Sequence, residues 1–198
     1  MTRLYLITHA HTAADPGTDA RLWRLSPTGV DQAARLAAAP WWDTVDAIVL
    51  SNEAKTRLTV APVLAQRELP VVVDPRFDEL KRGGWCDDYA GQVQRMFAAP
   101  DMAVGGWESA TAALARVRAG MADLHARHPG GTLALVSHGL VLSLYRAHLL
   151  GLPQVRFVDW QQLSFAAVAQ VTLAPETGEG VLVQDFVPVA EHQPRGNG

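Results

Sequence analysis

Near its start the chain reads "RLYLITHAHT", Arg3 to Thr12. Leu4 to Ile7 form a short apolar run bounded by polar residues, which reads as a buried strand. The run breaks directly into Thr8, His9, Ala10 and His11. Taken alone, His9 reads as an ordinary strand-end histidine bonded to backbone; a site is indicated only if other strand ends bring a second such residue to the same edge.

Three further runs read as strands: "VDAIVL" (Val45–Leu50), "PVVVD" (Pro70–Asp74) and "TLALVS" (Thr132–Ser137). Helical patterns separate them. Ser26 is a natural N-cap and Pro27 a natural first helical residue, predicting a helix to about Ala39. A second helix is expected over Ala54–Gln66, with Pro62 an awkward fit. Trp107, Ala110, Leu114, Val117, Met121 and Leu124 recur at steps of three and four, one face of a helix that stops before "HPGG". Another helix should run from near Gly139 to near Gly151. "SFAAVAQVTL" and "GVLVQDFV" look like two more strands, joined as a hairpin around "PETGEG". Near-continuous apolar strands alternating with helices imply a parallel sheet covered on both faces. The expected class is α/β, a three-layer α/β/α sandwich with a mostly parallel central sheet.

Composition narrows the function. At 198 residues the chain suits one domain with a sizeable core, expected over 1–189, and the polar end "AEHQPRGNG" (190–198) reads as a frayed tail. Lys and Arg number 17 against 20 Asp and Glu, so nothing suggests binding to nucleic acid or a membrane surface. The single cysteine, Cys86, excludes an intrachain disulfide and suits a reducing compartment. The first residues lack the shape of a signal peptide, and no stretch approaches the roughly 20 apolar residues of a membrane span. The expectation is a cytoplasmic protein, with a homodimer left open.

In an open α/β sheet, ligands bind outside the carboxyl ends of the strands. The first strand delivers Thr8, His9 and His11; the second delivers Ser51-Asn52-Glu53-Ala54-Lys55; Asp78 and Glu79 follow the "PVVVD" run; and Ser137-His138-Gly139 ends the fourth. His138 precedes a glycine that opens a helix, where free N–H groups favour an anion. Lys55 and Arg57 read equally as the exposed face of a helix's first turns. His125, His128, His148 and His192 read as structural or solvated, and Trp41 and Trp42 as packing residues. His-x-His on a strand is also a metal-ligand geometry, with Asp15, Asp78, Glu79 and His138 as further ligands to draft. The chain is too short for the barrel that often carries such a pair.

These strand-end residues resemble the histidine phosphatase superfamily, whose fold is phosphoglycerate mutase-like. The family opens with a strand followed by Arg-His-Gly-Glu/Gln-Thr; Thr8-His9-Ala10-His11-Thr12 stands in its place. The family element Leu-(Ser/Thr)-x-x-Gly-x-x-Gln-Ala is intact as "LSPTGVDQA" (Leu25–Ala33). Ser-Pro-x-x-Arg-Ala-x-x-Thr corresponds to "SNEAKTRLT" (Ser51–Thr59), and an acid followed by Phe-Gly-x-Trp resembles "DELKRGGW", which points to Glu79. Val-Ser-His-Gly-Gly matches "VSHGL". The family's arginines are replaced by Thr8 and Lys55, and an expected asparagine by Asp15. The chain is similar to a divergent bacterial branch that opens with Thr-His-Pro and carries Ser-x-Glu-x-Lys.

The resemblance implies phosphoryl transfer without a metal or other cofactor, on a small phosphorylated substrate. His9 would be the nucleophile. Glu79 would act as general acid and then base, with a pKa raised by desolvation. His138 would stabilise charge on the phosphoryl oxygens, helped by Lys55, Ser51 and N–H groups near Gly139; Thr8 and Arg57 would also belong to the phosphate- or substrate-binding set, with His11 on the pocket wall. Thr8 removes a bidentate clamp, which Arg57, Arg21, Arg24 or Arg82 could restore. A phosphatase of weak or altered activity is the leading expectation. A non-catalytic relative that binds an anionic phospho-ligand is the alternative; a mutase or a metallohydrolase built on His9 and His11 comes behind.

Overall fold

The computed structural model describes residues 1–189; the tail expected over 190–198, and His192 with it, lies outside the described residues. Six strands form one sheet: β1 (Thr2–Thr8), β2 (Ala47–Leu50), β3 (Val71–Val73), β4 (Thr132–Ser137), β5 (Ala167–Leu173) and β6 (Gly180–Pro188), in spatial order β3-β2-β4-β1-β5-β6. The first four in that order are parallel; β5 and β6 are antiparallel additions, paired as the expected hairpin. The sheet is therefore mostly parallel, as the run of buried strands implies.

Alternation along the strands builds two cores. Leu4, Leu6, Val49, Leu133 and Leu135 face one side and pack with Phe77, Met96, Met121, Leu124 and Val141. Tyr5, Ile7, Ile48, Leu50, Ala134 and Val136 face the other and pack with Leu36, Trp42, Val60 and Val63. Successive strand side chains point to opposite faces, so a strand apolar at every position must be covered twice. α1 (Pro27–Ala37) and α2 (Ala54–Leu64) cover the second face, while α4 (Ala110–Arg127) and α5 (Gly139–Leu149) cover the first.

The helices follow their sequence signals with small corrections. Ser26 caps α1 by accepting from the Gly29 N–H, and the helix ends at Ala37, two residues early. α2 runs through Pro62 because the helix ends two residues later, so the proline removes only one late bond. Trp107 precedes α4, which Ser109 caps. Two helices carried no sequence expectation: α3 (Tyr89–Ala98), capped by Asp88, and the single-turn-and-a-half α6 (Phe157–Gln162). Among the described residues no helix is long and apolar enough to cross a membrane.

The "LSPTGVDQA" stretch locks the end of β1. The Ser26 N–H donates to the His11 carbonyl (3.0 Å), and the His11 N–H donates to Gln32 Oε1 (2.8 Å). Gly29 is needed because a Cβ there would stand 1.9 Å from the His11 carbonyl oxygen. Gly29→Ala forces backbone apart on the segment that carries the histidines. It should lower stability by about 2 kcal/mol or more. Urea unfolding measures this directly; a midpoint equal to the parent's would contradict the close approach.

Candidate active site

β1 and β4 pair in parallel with Thr8 opposite Ser137, and the His9 N–H donates to the Ser137 carbonyl (2.9 Å). His9 and His138 therefore leave neighbouring strands at the same level. Their rings meet edge to face with centroids 5.2 Å apart. His9 Nδ1 lies 2.8 Å from the Ala10 carbonyl oxygen, which can only accept, so Nδ1 carries the proton and Nε2 keeps its lone pair. Burial is the largest influence on this ring and lowers its pKa to about 3, against the pull of that carbonyl and with help from the charges of Lys55 and Arg82. His9 is a neutral imidazole with a free nitrogen.

His138 is fully buried at the N-terminus of α5. Its Nε2 pairs with Ser51 Oγ at 2.8 Å, and its Nδ1 has no partner. A buried polar atom left unpaired is costly, so a group that bonded His138 Nδ1 would relieve that cost. Burial also pushes the His138 pKa well down, reinforced by the proximity of His9 and Lys55.

Glu79 is set from the loop after β3. Arg116 on α4 holds this loop, donating to the carbonyls of Arg76, Asp78 and Glu79, while pairing with Glu108 at 2.9 Å. The Glu79 carboxylate accepts from the Leu80 N–H (2.9 Å) and from the Leu140 and Val141 N–H groups of α5 (3.2 Å each). Burial is the largest influence and raises the Glu79 pKa, against the charge of Arg82 and the N–H groups of Leu80 and Leu140.

The other expected site residues have these contacts. The Thr8 hydroxyl donates to the Ser164 carbonyl (2.9 Å) and accepts from the Ala167 N–H (2.8 Å), tying β1 to the loop before β5. The N–H groups after Gly139, expected to face phosphate, are taken by Glu79. Arg57 is exposed on α2, and no hydrogen bond or ion pair among the described residues joins it to the two histidines or Glu79. Asp15 is exposed and bonded to Thr18 and Gly17. His11 Nδ1 pairs with Ser26 Oγ (2.8 Å), which engages this ring with the helix cap. Among the described residues no three His, Cys, Asp or Glu side chains converge as a metal cage.

Lys55 does reach the site, but with a partner. Its Nζ lies 2.6 Å from Glu53 Oε2, with the two side chains 3% and 4% exposed. Glu53 Oε1 accepts from the Glu79 N–H (2.9 Å) and lies 3.5 Å from His138 Nε2. Glu53 thus ties the ends of β2, β3 and β4 together. The sequence signal that could have flagged it is a carboxylate two residues before a lysine entering a buried helix, since buried charges require partners. Aromatic side chains rim the site: Phe165 lies 5.4 Å from the His9 ring and 4.9 Å from His11, and Trp23 sits between Lys55 (5.7 Å) and the exposed Trp85 (6.3 Å).

The sequence model of one family, Histidine phosphatase superfamily (branch 1), matches residues 4–185. No curated protein sequence matches the chain. Among solved structures, a mutant phosphoserine phosphatase from Entamoeba histolytica, in complex with phosphoserine, aligns with a TM-score of 0.74 at 20% identity, covering 97% of this chain and 99% of that one. A mycobacterial glucosyl-3-phosphoglycerate phosphatase aligns at 0.73 and 25% identity, covering 94% and 98%. The alpha-ribazole phosphatase of Shigella flexneri aligns at 0.72 and 23%, covering 94% and 96%.

The two neutral histidines set the response to acid. The folded-state pKa of His9 is about 3 against an ordinary 6.5, and that of His138 is also lowered. Between those limits the unfolded chain binds more protons than the folded one, so stability is present above about pH 6.5 and is lost as pH falls toward 3. The melting temperature should drop across this window, and His138→Gln should flatten the slope whatever its effect at neutral pH. An unchanged slope in that variant would contradict the buried neutral imidazole.

Proposed function

The chain belongs to the histidine phosphatase superfamily, and from that membership we propose that it is a metal-independent phosphatase acting on phosphate monoesters through a phosphohistidine on His9. One observation carries the reading. His9 holds its proton on Nδ1 and keeps Nε2 free, and its ring meets, at 5.2 Å between centroids, that of buried His138, whose Nδ1 has no partner.

The steps balance on these groups. His9 Nε2 attacks phosphorus and the bond to the leaving oxygen breaks. Protonated Glu79 gives its proton to that oxygen. Water then attacks the phosphohistidine, Glu79 takes a proton from it, the N–P bond breaks, and phosphate leaves. His138 Nδ1 lies ready to bond a phosphoryl oxygen and so to gain the partner it lacks. The raised Glu79 pKa keeps the acid form available at higher pH than for an ordinary carboxyl, while Nε2 of His9 stays unprotonated down to about pH 3.

A second reading has a specific observation behind it. Thr8 replaces one family arginine, and the Lys55 charge is balanced by Glu53, so the strand-end clamp is weak. A relative that binds a phosphorylated ligand without turnover would share these features. Phosphate that raises the melting temperature with no hydrolysis of any monoester would favour it.

The parent should hydrolyse p-nitrophenyl phosphate, and His9→Ala should fall to background; equal rates would sink the nucleophile assignment. Glu79→Gln should lose about 10²–10⁴-fold on an alkyl phosphate, whose leaving oxygen needs a proton, and less on p-nitrophenyl phosphate. For the alkyl ester, the rate of the parent should fall as pH rises through the raised Glu79 pKa, because the acid form is lost.

A further inference from the structure

We infer that Arg82 supplies the phosphate-binding guanidinium of this site, in place of the arginine absent at position 8; the inference rests on the phosphatase reading. The argument begins with where the positive charge near the site is already spent. Lys55 is paired with buried Glu53. His9 and His138 are neutral. Arg116 is held by Glu108 and three backbone carbonyls, and Arg76 by Asp74 and Asp123. Arg21 forms a fork with Asp19 on an exposed turn, its side chain 71% exposed. Arg24 and Arg57 are exposed.

Arg82 is different in each respect. It lies three residues after Glu79, on the same loop, and is half-buried. Among the described residues it makes no side-chain hydrogen bond and no ion pair. Its guanidinium carbon stands 5.0 Å from the Tyr89 ring and 5.7 Å from the Trp107 ring. Those faces hold the plane of the group without using its N–H donors. The half-buried guanidinium thus keeps its five donors free to bond an anion, with no bond among the described residues to give up. The shelf adjoins the site: the Tyr89 ring meets the Trp160 ring at 6.0 Å, and Trp160 Nε1 would stand 3.7 Å from a Cβ on Gly139, the residue after His138; the Arg82 charge also bears on His9, Glu79 and His138. The aromatic shelf fixes one face, and the N–H edge remains to take two phosphoryl oxygens side by side.

The test compares the parent with Arg82→Ala, Arg82→Met, Arg82→Lys and Arg21→Ala, using p-nitrophenyl phosphate as substrate and inorganic phosphate as competing ligand. Arg82→Ala and Arg82→Met should lower kcat/KM about tenfold to a hundredfold and weaken phosphate inhibition by a similar factor. Arg82→Lys should fall between, because a lysine gives a point charge without the fork. Added guanidinium ion should restore part of the Arg82→Ala rate, which a packing role would not allow. Arg21→Ala should match the parent. Melting curves identify any variant that fails to fold, and the methionine variant keeps the apolar stem on the aromatic shelf. Parent-like kcat/KM and phosphate affinity in folded Arg82→Met, or a loss in Arg21→Ala alone, would overturn the inference. If the parent proves not to turn over any ester, the phosphatase reading fails at His9, while a shift in melting temperature on adding phosphate still reports whether Arg82 binds the anion.

Discussion

The parallel register between β1 and β4 is the constraint on which the site depends. Thr8 lies opposite Ser137, and one further backbone bond from the His9 N–H to the Ser137 carbonyl carries the pairing past the strand end. Because parallel strands finish on the same edge, two histidines distant in sequence arrive side by side. A slip of one residue would turn His9 to the opposite face and break both cores, since every residue of Leu4–Ile7 is buried on one side or the other. The packing of the sheet therefore fixes the distance between the imidazoles as firmly as any contact within the site.

Burial then assigns the chemistry. Removing a group from water penalises its charged form, which lowers the histidines and raises Glu79. One cause thus gives a neutral imidazole and a protonatable carboxyl at the same pH, which is the combination that the proposed phosphoryl transfer through histidine requires. The Arg82 charge first, and then the N–H groups of Leu80 and Leu140, oppose this rise of the Glu79 pKa.

Much of this was legible in the sequence because it rests on period and position. Unbroken apolar strands gave a doubly covered sheet, and strand ends led to His9, Glu79 and His138. The Ser26–Gly29–Gln32 spacing was recognised as a motif, and its reason is steric: the His11 carbonyl occupies the space of a Cβ at Gly29. Partners across the fold were not legible. Glu53 lies two residues from Lys55, but its hold on the Glu79 N–H depends on how the loops after β2 and β3 meet. Arg116 sits on α4, far along the chain from the carbonyls it fastens. Arg82 was one of four cations in view, and only the pairing of the other three, or their exposure, separates it from them.

Thr8 illustrates why a motif departure is read best through its new contacts. Its hydroxyl bonds the Ser164 carbonyl and the Ala167 N–H, so it fastens the loop that places Phe165 against His9 and His11. An arginine could not make that compact double bond from a buried strand end; its long charged fork would have to reach into the pocket. The exchange therefore closes one wall with an aromatic ring and takes positive charge off β1. Glu53 balances the remaining lysine on α2. The half-buried cation that stays unpaired among the described residues, Arg82, lies on the loop that also carries Glu79. Acid and cation there belong to one segment, which Arg116 anchors through its backbone, so the proton donor and the anion clamp would be positioned together.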